Sequence, residues 1–98
     1  MAKRKASCPL CGARLTSAQV LDACCEIVGP DVLECHCPFC QGYFEVRPVT
    51  EAVEIGYRRN GGFDVVVTLP AVGLTMLRDT DKGVLWLRLA GQSWKFDT

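Results

Sequence analysis

Two short stretches of this chain share one grammar: Cys8-Pro9-Leu10-Cys11-Gly12 and Cys37-Pro38-Phe39-Cys40-Gln41-Gly42. Each places two thiols two residues apart on a tight turn, here termed a knuckle. Together they offer four sulfur ligands, the number that a tetrahedral structural zinc site requires. Pro9 fixes one φ angle and stiffens its turn. Gly12 suits the positive φ that a residue with a Cβ resists. A single Cys-x-x-Cys also serves redox enzymes, whereas two copies with matching Cys-Pro-x-Cys spacing are far more specific. A site closed by four cysteines carries no chemistry of its own, so the pattern constrains the fold more than the activity.

The rest of the composition agrees with a metal-assisted fold. At 98 residues the chain is one domain near the lower end of what a single apolar core supports. Metal binding to a site that does not exist in the unfolded chain adds directly to folding free energy. Seven cysteines are an odd number and cannot all pair internally. Four of them in two Cys-x-x-Cys pairs favour metal over disulfides, in a reducing compartment. The basic start is not followed by an apolar stretch, so no secretory signal is expected. No run approaches the roughly 20 apolar residues of a membrane span. A cytoplasmic protein without membrane contact is the expectation.

Formal net charge is zero, so no overall field recruits nucleic acid or an anionic membrane. The charges are nevertheless segregated. Residues 1–16 carry four basic side chains (Lys3, Arg4, Lys5, Arg14) and no acidic one. Residues 17–56 carry seven acids against Arg47 alone, and residues 57–98 carry six basic and four acidic side chains. A basic head thus precedes an acidic middle.

Between the knuckles, residues 16–28 read as a helix. Thr16 and Gln19 have capping-box spacing, and Ala18, Leu21, Cys25 and Val28 fall on one face at steps of three and four. Gly29-Pro30 is the stop. Adjacent helical residues diverge by about 100°, so Cys24 and Cys25 cannot both reach one metal. They are expected as small buried apolar side chains, with Cys25 the one to depart from that. Residues 32–36 and 43–49 read as strands entering and leaving the second knuckle. Cys35 lies two before Cys37, on the same strand face, and competes as a ligand in an alternative register. His36 is the only histidine, and a Cys3His site would have to use it. Four cysteines are preferred because the two knuckles are complete without it.

These residues resemble the zinc ribbon superfamily over roughly residues 8–48, through the two Cys-Pro-x-Cys knuckles and the aromatic strand at Tyr43-Phe44. The resemblance implies that Cys8, Cys11, Cys37 and Cys40 bind one Zn2+ per chain. The chain departs from the pattern in its helical linker, which leaves a treble-clef-like arrangement open, and in Gln41, where a glycine often follows the second knuckle. Zinc ribbons occur in transcription factors, polymerase subunits, ribosomal proteins and small bacterial or phage proteins, so the resemblance narrows the partner class only loosely.

After Pro48 the grammar changes. Arg59-Asn60-Gly61-Gly62 reads as a hairpin turn, and residues 63–69 alternate as a strand. Residues 74–78 fit a short strand or a helical turn equally. Residues 84–89 and 93–96 form a final hairpin, in which Trp86 and Trp94 read as core packing or as a base-stacking surface with Arg58, Arg59 and Arg88 nearby. The expected architecture is therefore a small α+β metal-bound domain: a zinc ribbon with one helix between its two knuckles, followed by an antiparallel β meander. Residues 1–7 form a basic flexible tail, 8–48 the ribbon, and 49–98 a β-rich region packed on it as one unit.

Three functions are compatible with this reading. The first is a non-enzymatic module that binds nucleic acid, or a protein of the gene-expression machinery, with Lys3, Arg4, Lys5, Arg14, Arg58 and Arg59 as candidate phosphate contacts. The second is a protein–protein adaptor with structural zinc. The third, a thiol oxidoreductase, is disfavoured because the βαβ context of a thioredoxin-type motif is missing. No nucleophile–base pair or small-molecule site is evident, and no enzyme activity is expected.

Overall fold

The computed structural model describes residues 7–97. Helix α1 (Ser17–Ala23) is followed by eight strands: β1 (Cys24–Gly29), β2 (Val32–His36), β3 (Tyr43–Val49), β4 (Ala52–Arg59), β5 (Gly62–Pro70), β6 (Thr75–Asp79), β7 (Val84–Leu89) and β8 (Gln92–Asp97). The first five strands form one antiparallel sheet in chain order, and the last three form a second.

The α+β zinc ribbon with a helix between two knuckles and a trailing meander is therefore corrected. The described residues are mostly β, 57% strand in two antiparallel sheets, with one short helix. The expected helix over 16–28 stops at Ala23. Its start is as anticipated: the Gln19 N–H donates to Thr16 Oγ1 at 3.1 Å, and the Thr16 N–H donates to Gln19 Oε1 at 2.9 Å. Its second half instead pairs with β2 through Cys24 opposite Cys35 and Ile27 opposite Leu33. Branched Ile27 and Val28 suit a pleated strand better than a helix, and the hairpin closes over Pro30-Asp31, with Asp31 in the left-handed region at φ 59°. The trailing meander is split as well: β4 and β5 extend the first sheet, and only β6–β8 form the second.

The core lies on one face of the larger sheet. Leu33, Cys35, Phe44, Val46, Val53 and Ile55 alternate inward, all fully buried, and meet Val20 and Leu21 of the helix. Leu85, Leu87, Leu89 and Phe96 bring the smaller sheet into the same cluster. Two polar links add to this packing. Arg78 donates to both Asp31 carboxylate oxygens, at 2.6 and 2.8 Å, and Trp94 Nε1 donates to Asp22 at 3.2 Å. Trp94 thus packs at the edge of the core, whereas Trp86 is exposed on the outer face of β7.

Candidate metal centre

The second knuckle is the loop of a hairpin. His36 pairs with Tyr43 across β2 and β3, so residues 37–42 must turn tightly. The Cys37 N–H donates to Gly42 O and the Gln41 N–H to Cys37 O, at 2.9 and 2.8 Å. The first knuckle repeats this pattern, with no paired strand flanking it among the described residues: the Cys8 N–H donates to Ala13 O and the Gly12 N–H to Cys8 O, both at 3.1 Å. Gly12 and Gln41 occupy equivalent positions, and both take a positive φ, 78° and 65°. Ser7 Oγ donates to Leu15 O at 3.0 Å and closes the base of the first loop.

These turns bring all four thiols together. The Sγ atoms of Cys8, Cys11, Cys37 and Cys40 lie within 4.8 Å of one another. Cys8 and Cys40 are 3.8 Å apart, and so are Cys11 and Cys37. Both of these contacts join one knuckle to the other. Four sulfurs about 2.3 Å from a central ion would be separated by about 3.8 Å along each edge of their tetrahedron, so this donor set can hold a metal ion. In each knuckle the first cysteine is buried and the second exposed. Backbone N–H groups point at the sulfurs: those of Leu10 and Cys11 at Cys8, of Phe39 and Cys40 at Cys37, and of Gly42 at Cys40, at 3.3–3.5 Å. Gly42 leaves room for the opposite knuckle, since a Cβ there would sit 2.3 Å from Leu10 Cδ1.

The electrostatics of the thiols also call for a cation. Burial pushes the Cys37 thiol up, but the N–H groups of Cys40 and Phe39 outweigh it and bring the group down to about 7. At Cys11 the Ala13 N–H pulls down, yet desolvation and the Cys8, Cys40 and Cys37 sulfurs together push the thiol up to about 12. At Cys40 the Gly42 N–H likewise pulls down, and the net shift is upward. Four thiolates this close repel one another, and a divalent cation at their centre removes that repulsion.

The remaining candidates fall elsewhere. Cys35 faces the core, with its thiol 3.5 Å from Val20 O, and stands outside the quartet. His36 also stands outside it, bonded through Nε2 to Glu34 at 2.8 Å. Cys24 is half-buried and donates to Val20 O at 3.2 Å, whereas Cys25 is exposed rather than buried. Lys3, Arg4 and Lys5 lie outside the described residues. Arg14 is exposed beside the first knuckle. Arg58 is engaged internally: its guanidinium and its backbone N–H both bind Glu45, and Nη1 reaches Val28 O. Arg59 pairs with Asp64 at 3.0 Å. Of the three candidate phosphate contacts among the described residues, Arg58 and Arg59 are thus each paired with an acid. The sequence reading overlooked Glu45, which accepts from Tyr43 as well as Arg58 and braces the strand leaving the second knuckle. A lone acid between Phe44 and Val46 was its only signal.

No family model matches the chain, and no curated protein or solved structure matches it either. The resemblance to zinc ribbons therefore rests on the two knuckles and the Tyr43-Phe44 strand alone. Among the described residues, no helix is long and apolar enough to cross a membrane.

Proposed function

We propose that this protein is a non-enzymatic interaction module whose two knuckles are joined by one structural Zn2+ and dock onto a protein partner. Four thiolates in a tetrahedral setting favour zinc over harder ions such as Mg2+ and Ca2+. A closed sulfur shell leaves no position for substrate, which supports a binding role over catalysis. The observation that carries the reading is at the knuckle tips. Leu10 and Phe39 hold the same position in the two turns and are 55% and 61% exposed, and Tyr43, just after the second turn, is also exposed. Apolar side chains gathered at one end of a small domain mark an interaction surface more often than a solvated one. The internal engagement of Arg58 and Arg59 further favours a protein over a phosphate backbone as partner.

A photo-crosslinking residue at position 39 tests this in living cells. A discrete adduct from position 39, absent from a still more exposed control at Val72, is the expected result. Equal labelling at both positions would contradict it.

A second reading, nucleic-acid binding, draws on the outer face of the smaller sheet. There Trp86 is 44% exposed, pairs in register with Lys95, and has the Lys95 ammonium 5.7 Å from its ring centroid. Arg88 is exposed two residues along the same strand. An aromatic between two cations is a stacking platform for single strands. A mobility shift at low salt that is lost in W86A would favour this reading over the first.

A further inference from the structure

A second group of metal-binding side chains lies beside the first. Cys25, Glu34 and His36 each offer a ligand atom, and the three atoms lie within 4.8 Å of one another. Glu34 and His36 alternate with buried Cys35 along β2, so both face away from the core. Cys25 joins them through a defect in β1. From Cys24 to Ile27 the strand advances three residues, while its partner advances only two, from Cys35 to Leu33. This bulge leaves Cys25 and Glu26 both exposed. Bulges re-aim side chains in this way and are enriched beside functional sites.

We propose that Cys25, Glu34 and His36 form a second, exchangeable binding site for a divalent transition-metal ion of the zinc class. One thiolate, one imidazole and one carboxylate make a three-ligand set that leaves the fourth tetrahedral position to water or an external ligand. Mixed sulfur, nitrogen and oxygen donors select borderline ions over Mg2+ or Ca2+. The site is prepared for a cation. Glu34 and Glu26 flank the thiol, and among the described residues the one ion-pair partner of Glu34 is His36 itself, at 2.8 Å. The Cys25 thiol is held only by a long contact, 3.9 Å to Ala23 O, and is free to turn toward an ion. The Tyr43 ring meets His36 edge-on with centroids 5.7 Å apart, which limits the imidazole's swing. The donor set is partly exposed and one ligand short of closure, so it binds more weakly than the four-cysteine centre. It neither depends on that centre's partner nor shares a ligand with it.

The test is a titration of the full-length reduced chain, first loaded with one equivalent of zinc, with Co2+ as the visible probe. Retained zinc is measured throughout, so that cobalt displacing zinc is counted separately. The expected result is a second equivalent that binds with a sulfur-to-cobalt charge-transfer band. Cys25→Ser removes that band, and His36→Ala and Glu34→Gln each weaken the second step by about tenfold or more, while the first equivalent of zinc stays in place. Saturation at one metal per chain, or a second step unchanged in both Cys25→Ser and His36→Ala, would overturn the proposal. As a readout independent of any variant, bound Co2+ should broaden the amide resonances of Cys25, Glu34 and His36 before those of β6–β8. Broadening that is uniform or centred elsewhere would also overturn it.

Discussion

The two knuckles have the same spacing and the same internal hydrogen bonds, yet the rest of the chain supports them unequally. The second sits between β2 and β3, whose residues Leu33, Cys35 and Phe44 are fully buried. The first is held by Cys8, Leu15 and the Ser7 hydrogen bond, with no strand adjoining it among the described residues. The second is thus the better-supported half-site, its turn closed between two paired strands. A bound ion would recruit the first to it. A metal centre in a small domain needs only one preorganised half, because the free energy of binding folds the other.

Removing the metal should separate the knuckles most sharply, since structural zinc contributes on the order of 10 kcal/mol of binding free energy. After chelation, amide exchange should accelerate strongly at residues 8–15 and much less across β2 and β3. Cys8→Ser should reproduce this pattern in the presence of zinc. Equal loss of protection in both knuckles would show that the hairpin does not stand without the ion.

Truncation of Phe44 attacks the support of the second knuckle instead. Phe44→Ala should cost about 3–5 kcal/mol in a denaturant titration and should lower protection of both knuckles together, because the first has no other scaffold. A cost below about 1 kcal/mol would mean that β3 is not the anchor described here.

Glu45 provides a smaller, pH-dependent contribution to the same strand. Burial pushes its carboxyl up, but the Arg58 guanidinium, the Tyr43 hydroxyl and the Arg58 N–H outweigh it and hold the group below the usual carboxylate value. A depressed folded pKa contributes stability that is fully present above the unfolded value, near 4.3. That stability is lost as pH falls through the folded value. Glu45→Ala strands a backbone N–H and a hydroxyl, and should cost about 2 kcal/mol at pH 7. The gap between wild type and variant should narrow in denaturation curves taken below pH 4. A gap that stays constant with pH would remove the ionic contribution.

The smallest effects concern the matched positions 12 and 41. Gly12→Ala should cost about 1 kcal/mol, because a Cβ resists the left-handed region. Gln41→Gly should be neutral or stabilising by up to about 1 kcal/mol, since the relief of strain is offset by the freedom glycine gains in the unfolded chain. Paired thermal melts of the zinc-loaded variants give the comparison.

What could be read from the sequence was local. The knuckles declare themselves within five residues each. Asn60-Gly61 announced the β4–β5 turn, and both residues adopt positive φ, 48° and 79°. The capping box placed the start of α1 for the same reason. The end of the helix was misplaced because Ala18, Leu21, Cys25 and Val28 keep helical spacing, while the competing partner, β2, is distant information. The division into two sheets was hidden in the same way, since nothing local in residues 71–74 distinguishes a break between sheets from an ordinary turn. Cys25, Glu34 and His36 could not be joined either, because their meeting depends on a one-residue bulge that a strict alternation omits. Arg58 read as a candidate phosphate contact because its buried acidic partner, Glu45, is distant in the sequence.

X-ray absorption at the zinc edge, on the chain loaded with a single equivalent, examines the metal itself. The structure and the proposed ion together require four sulfur scatterers at about 2.3 Å. A nitrogen or oxygen neighbour in the inner coordination sphere, or fewer than four sulfurs, would contradict a centre built from Cys8, Cys11, Cys37 and Cys40.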